Sequence, residues 1–365
     1  MKAKTDKIFI SLLFALLLVG IFVFTSASLG IFAKNETLFY SMVTNQLLLG
    51  LLGGLLAFYV FSKISYRLWK KYAYHIFVFS VIVTLLVFVP GVGFEHGGAK
   101  RWIHLFSQSF QPSELLKFGL VVFLSAWFSF SKDRAETARY GLLPFIAVLG
   151  LCAGIMLKQP DTGTFIVMTA SAFAVYFVSG AKWKHIAVLF MTGLIGLLML
   201  ISIRPYIKDR LLTFIDPTRD PLGSAYQIQQ SLIAIGSGEI FGRGLGQSVQ
   251  KFSYLPEPVG DSVFAIIGEE LGFVGSVSVV ILFLLFGLRG LKIGSRAQDP
   301  FGTYLTVGII TLILAQSFLN IVSLIGIFPL TGVPLVFISH GGTALLFALA
   351  EVGIVVNISK TASRA

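Results

Sequence analysis

Residues Ile8–Phe24 read IFISLLFALLLVGIFVF, a run of apolar and small residues without a single charge. Its length approaches the roughly 20 residues that cross a hydrocarbon core as a helix. It is too long for a typical signal-peptide core, and no convincing small-residue cleavage site follows, so it reads as a retained membrane helix. Similar runs recur along the whole chain. Of 365 residues, 56% are hydrophobic, only 12% are charged and 35 are Phe. An ordinary soluble domain carries about 25% charged residues. A soluble fold and a disordered chain are excluded. A disulfide scaffold is excluded too, because Cys152 is the only cysteine and has no partner within the chain.

The apolar runs predict an all-α integral membrane protein with ten spans, at residues 8–25, 42–62, 73–92, 112–130, 141–157, 163–179, 185–203, 263–288, 303–328 and 337–358. They form one domain over residues 1–365, broken only by a long loop at 204–262. Gly50, Gly53 and Gly54 in the second span point to close helix packing. The formal net charge of +11 raises the question of nucleic-acid binding. Its distribution answers otherwise. The N-terminus, the even-numbered loops and the C-terminal tail hold 3, 4, 3, 2, 3 and 2 Lys and Arg, whereas the odd-numbered loops hold 1, 2, 1, 6 and 0. The six lie in the long loop, where charge has little say in orientation. The positive-inside rule therefore puts both termini in the cytoplasm and the long loop outside, and no nucleic-acid partner is needed.

Four polar clusters interrupt the spans. The first joins Gly97–Ile103 (GGAKRWI) to Gln111–Lys117 (QPSELLK), where Glu114 and Lys117 share a helix face and can neutralise one another. They suit a structural ion pair or the polar lining of an intramembrane cavity, and Lys100, Arg101 and Trp102 suit interfacial anchors equally well. The second, Lys158–Thr164 (KQPDTGT), is explained by a turn alone. The third is the long loop. In it Ala225–Gly236 (AYQIQQSLIAIG) reads as an amphipathic helix at the interface, followed by the Gly-rich Gly236–Gly246 (GSGEIFGRGLG) and by Tyr254–Leu271 (YLPEPVGDSVFAIIGEEL). Asp261 there could be a helix N-cap, but Glu269 and Glu270 follow inside the span, and buried carboxylates need partners or a task. The fourth, Leu330–Leu346 (LTGVPLVFISHGGTALL), has the Pro and paired Gly of a broken helix lining a cavity. No P-loop, HExxH, CxxC or GxSxG constellation is present. The residues alone leave a transporter or flippase, a membrane-embedded transferase on a lipid-linked substrate, and a scaffold open.

Together GAKRWI, QPSELLKF, KQPDTGT, QQSLIAIGSGEIFGRGLGQSVQKFSYLPE, FAIIGEELGF and TGVPLVFISHGG resemble, in family order, the motifs of the SEDS family of shape, elongation, division and sporulation proteins. SLIAIGSG with QKFSYLPE is more similar to the division branch than to the elongation branch. The resemblance implies a ten-helix peptidoglycan glycosyltransferase that polymerises undecaprenyl-linked lipid II on the outer face of the bacterial cytoplasmic membrane, for septal cell-wall synthesis. It also implies a class B penicillin-binding protein (a transpeptidase) and divisome proteins as partners, and Mg²⁺ or Mn²⁺ as cofactor. Asp261 is the implied catalytic residue, acting as general base in a single inverting displacement. The family pattern before that Asp is His-Thr, where this chain has Val259 and Gly260. Where many members have Ser-Tyr-Gly-Gly, it has Ser339, His340, Gly341 and Gly342. Candidate substrate-binding side chains are Lys100, Arg101, Trp102, Gln111, Glu114, Lys117, Arg243, Lys251 and Ser339. No metal-ligand spacing is recognisable.

Overall fold

The computed structural model describes residues 5–96, 99–105, 108–131, 135–216 and 224–361. Gly97 and Gly98 of the first motif and residues 217–223 of the long loop lie outside them. The first helix, α1 (Lys7–Phe32), starts where the Asp6 carboxylate accepts from the Phe9 amide, satisfying one of the orphan N–H groups of a helix start. Next comes α2 (Glu36–Thr44), which continues through a π-helical stretch, Asn45–Gly53, into α3 (Gly54–Lys63). After α4 (Arg67–Leu85) the chain forms a three-stranded antiparallel sheet, β1 (Gly93–His96), β2 (Ala99–Leu105) and β3 (Gln108–Phe110). Then follow α5 (Pro112–Phe130), α6 (Leu143–Lys158), α7 (Thr162–Val178) and α8 (Trp183–Ile203). The long loop folds into α9 (Pro205–Ile215), α10 (Ser224–Ser237) and α11 (Gln250–Ser253). Three long helices close the chain: α12 (Val263–Ser295), α13 (Pro300–Leu324) and α14 (Gly342–Thr361).

Among the described residues nine helical segments are long and apolar enough to cross a membrane, and α7, with 17 residues, is a shorter apolar helix. The protein is therefore a multi-pass helical membrane protein. Several spans are redrawn: the first, 8–25, runs on to Phe32, and 303–328 ends at Leu324. The predicted span 73–92 lies in α4 and a short 3-10 turn ending at Phe88, because Pro90 and Gly91 turn the chain into β1. The predicted span 337–358 becomes a helix only at Gly342, because Ser339 and its neighbours are tied into an irregular segment. The predicted span 263–288 is extended to Ser295 and breaks at Gly272, whose φ is 67° and ψ −163°.

One core joins α1, α5, α12, α13 and α14, through residues such as Phe9, Phe286, Ile309 and Val355. A second lies between α5, α6 and α7 around Phe128, Phe145 and Tyr176, whose rings stack with centroids 5.0 Å apart. The glycine reading holds in detail. A Cβ on Gly54 would meet the Leu349 side chain at 2.6 Å, and one on Gly50 would meet Gly342 at 3.2 Å, so small residues let the π-helical stretch and α3 approach α14 closely. The Asp6 amide donates to the Ser359 hydroxyl at 3.3 Å, and Arg289 pairs with Asp6 at 2.9 Å. The two ends of the described chain thus meet at one end of the bundle. Asp261, which precedes the first residue of α12, stands at the other.

Candidate active site

Asp261 sits where three segments converge. The main-chain oxygen of Asp261 accepts a hydrogen bond from Asn320 Nδ2 of α13 at 2.6 Å, and the same amide donates to the Val333 carbonyl at 2.8 Å. Asn320 therefore ties the Asp261 loop to the segment before α14. Gln227 of α10 donates to Asp261 Oδ1 at 3.1 Å and to Ser262 Oγ at 2.9 Å. Gly332, at φ +69°, lies on the other side, where a Cβ would sit at an ordinary contact distance of 3.7 Å from Asp261 Oδ2. The N-cap position of α12 belongs to Ser262, with no side-chain cap bond. Capping therefore does not account for Asp261. Burial first, then the neighbouring Glu257 carboxylate, push its carboxyl from the ordinary 3.8 up to about 6, while the Gln227 bond pulls the other way.

A positive field reaches Asp261 from Arg210 on α9. Its guanidinium donates to the Leu330 carbonyl at 3.1 Å and interacts with Asp261, Asp161 and Arg101. Burial, and then Arg101, hold it below the ordinary arginine value. Arg101, on β2, donates to the carbonyls of Gln159 and Pro160. Two arginines with carbonyl partners stand close enough to repel one another. An anion placed between them relieves that repulsion. Asp161, beside them, caps α7 by accepting from the Thr164 amide at 3.2 Å, which bears out the turn reading of its motif; its Oδ2 is buried without a hydrogen-bond partner.

The remaining candidates are placed differently. Lys100 is exposed on β2 opposite Glu95, and Trp102 pairs with Phe94 across the same two strands. Gln111 precedes α5 as its N-cap residue without a side-chain cap bond. Glu114 and Lys117 form the buried ion pair that their spacing suggests, 2.8 Å apart, with Lys117 also donating to Gln316 at 2.6 Å. Ser339 holds its own turn. Its hydroxyl accepts from the Leu335 amide at 2.8 Å and its carbonyl accepts from Gln46. Arg243 and Lys251 are not brought to Asp261. Lys251 is buried against Glu270 at 2.7 Å and Ser26 at 3.0 Å, and Arg243 lies 3.6 Å from Glu269. The question raised by Glu269 and Glu270 is thereby answered: both are partnered. Glu269 also accepts from Ser248 Oγ and from the amides of Val249 and Gln250.

Arg210, Gln227 and Asn320 were not singled out in the sequence. Arg210 was one of six balanced cations in the long loop, and Gln227 was one polar residue of an amphipathic helix. A sign was available in Asn320 and Gln316, amides inside an apolar span, since such groups need partners. Among the described residues no group of three or more His, Cys, Asp and Glu is placed to hold a metal ion. The carboxylates of Asp261 and Glu257 lie within electrostatic reach of each other.

The comparisons with known proteins agree with this architecture. Over 361 residues the chain is 36% identical to "Stage V sporulation protein E" of Bacillus subtilis, covering 98% of each. It is also 36% identical over 357 residues to "Probable peptidoglycan glycosyltransferase FtsW" of Geobacter sulfurreducens, covering 98% of this chain and 95% of that one. A chain of a solved peptidoglycan synthase complex superposes with a TM-score of 0.80 at 28% identity, covering 99% of both chains. The crystal structure of the rod shape determining protein RodA of Thermus thermophilus gives 0.70 at 26% identity, covering 99% of this chain and 98% of that one. The family described as "Cell cycle protein", comprising FtsW, RodA and SpoVE, matches residues 6–364, and the chain belongs to it.

Proposed function

We propose that the chain is a peptidoglycan glycosyltransferase that polymerises lipid II, with Asp261 as its general base. The observation that carries this reading is a half-buried carboxylate, held by Gln227 and anchored by Asn320, in the field of Arg210, which with the neighbouring Arg101 donates to main-chain carbonyls. Both termini belong in the cytoplasm and Asp261 on the outer face. The bias of Lys and Arg supports that orientation, as does the meeting of the two chain ends opposite Asp261.

In the reaction, an acceptor sugar hydroxyl attacks the anomeric carbon of the donor. The bond from that carbon to the lipid pyrophosphate breaks with inversion, and the electron pair leaves with the phosphate oxygen. Asp261 takes the hydroxyl proton as the new glycosidic bond forms. A carboxyl whose affinity for protons is raised to about 6 is a better base than an exposed one, yet is still ionised near neutrality. Arg210 and Arg101 stabilise the charge that develops on the pyrophosphate. When bound, Mg²⁺ or Mn²⁺ would share that charge, with the exposed Glu257 carboxylate beside the site as the side chain available to hold it. A transpeptidase of the class B penicillin-binding type and divisome proteins are the partners this reading assigns, with septal synthesis as the process.

The test is to give purified protein and its transpeptidase partner lipid II and to size the products on a gel. Asp261→Asn is expected to insert normally and make no polymer. Polymer of wild-type length from that variant would overturn the assignment of the base. Movement of labelled lipid II across protein-containing vesicles, without any polymer from the wild type, would favour the flippase instead.

A further inference from the structure

α12 runs over 33 residues in two helical pieces that meet at Gly272, and the piece after the break, at about 1.5 Å per residue, is about 35 Å long, enough to cross the roughly 30 Å of a hydrocarbon core. Its far end carries Arg289, Lys292 and Arg296. About 20 residues counted back from Arg289 reach the neighbourhood of Glu269 and so set the other edge of the bilayer there. The helix breaks at that level, at Gly272. A break strands carbonyls and amides, and at the edge of lipid they need protein partners.

The Gly-rich loop after α10 supplies four such partners. The amides of Arg243 and Gly244 donate to the carbonyls of Glu269 and Glu270, at 2.9 and 3.0 Å. The amides of Phe273 and Val274 donate to the carbonyls of Glu239 and Ile240, at 2.8 and 3.1 Å. Gly242, at φ +80°, permits the approach, since a Cβ there would stand 2.1 Å from the Glu270 oxygen. This weld sets Ile240 and Phe241 beside Phe273 and Val274, with exposures of 60%, 80%, 67% and 47%. The apolar surface continues down α12 through the exposed Ile281, Leu284, Leu285 and Leu288.

We infer that the Ile240–Phe241 tip, with Phe273 and Val274, is a membrane-interface anchor that inserts among the acyl chains just below the headgroups of the bilayer holding the protein. The height, the apolar character and the continuity with the span below all fit that occupant, and the exposed Glu239 and Arg243 flank the tip at the level of the headgroups. The anchor does not depend on the proposed reaction. Its consequence is a fixed height for the Asp261 loop above the membrane.

The test uses the full chain in lipid nanodiscs with Cys152→Ser, so that the added cysteine is the only one. Phe241→Cys is labelled with an environment-sensitive fluorophore, and exposed Glu257→Cys serves as the comparison. Shallow acyl-chain nitroxide lipids are expected to quench the label at 241 roughly threefold more than that at 257, with the reverse order for aqueous iodide. Equal iodide quenching at both positions would overturn the anchor and leave the patch to a protein partner. If Phe241→Cys yields too little protein, Ile240→Cys carries the same reading.

Discussion

Asp261 on one side of the start of α12 and Glu269 with Glu270 on the other are acidic residues less than three helical turns apart, yet they have opposite surroundings. The two glutamates are matched by Lys251, Arg243, Ser26, Ser248 and main-chain amides. Asp261 has the Gln227 amide, its own main-chain amide, a hydroxyl at 3.5 Å, and an arginine that acts through the field without an ion-pair contact. Saturation turns a carboxylate into a fastener; partial satisfaction leaves one that can take a proton. The chain thus uses one residue chemistry twice within a short stretch, and the partners decide which role each copy has.

Removing the two kinds of carboxylate should separate activity from stability. Asp261→Asn is expected to lower polymerisation by about 10²–10⁴-fold, measured with lipid II at saturating concentration. Its fold should not suffer. Because the carboxyl is raised, its contribution to stability is full below its ordinary value and is lost as pH rises through about 6, so the variant should resist heat better than wild type above that pH. Lys251→Ala should do the reverse. It leaves Glu270 buried and unpaired, a loss of about 3–5 kcal/mol read as a lower melting temperature in detergent. Arg210→Ala is expected to reduce turnover about 10²-fold with its melting temperature nearly unchanged. A matching drop in both would make Arg210 another fastener.

The finer contrast is in pH. Activity should rise with pH through about 6 and level off above it, as Asp261 ionises. Gln227→Ala removes a donor that favours the ionised form and should move that limb up by roughly one pH unit. An unmoved limb would mean that another group titrates. Smallest of all, Lys100→Ala on the exposed face of β2 should leave turnover at saturating lipid II unchanged.

Much of the fold was legible because lipid imposes a crude rule. Long uncharged runs must be helices, and each run read this way falls largely on a helix. The sheet at residues 93–110 was missed, since its strands are short and their apolar residues resemble interface anchors. The late start of α14 was missed for a different reason. Only the folded molecule shows Gln46, from the π-helical stretch, donating to the Ser339 carbonyl and accepting from the Gly341 amide. Within the site, Asp261 stood out through its motif and the Glu114–Lys117 pair through its spacing. Lys251 and Arg210 defeated the reading because a loop cation looks the same in sequence whether it ends buried beside a carboxylate or beside a second arginine.

α8 and α5 differ in a way that bears on how the protein is made. Among the described residues α8 buries little beyond Leu189, and its main neighbour is α9. It can leave the translocation machinery and dwell in lipid alone. α5 is the least apolar of the nine long segments, carries Glu114 and Lys117, and is largely enclosed by its neighbours. Its Lys117–Gln316 bond forms only once α13 is present. Biogenesis of this bundle is therefore expected to follow an order, in which one helix is ready at once and another completes its contacts with a segment synthesised much later.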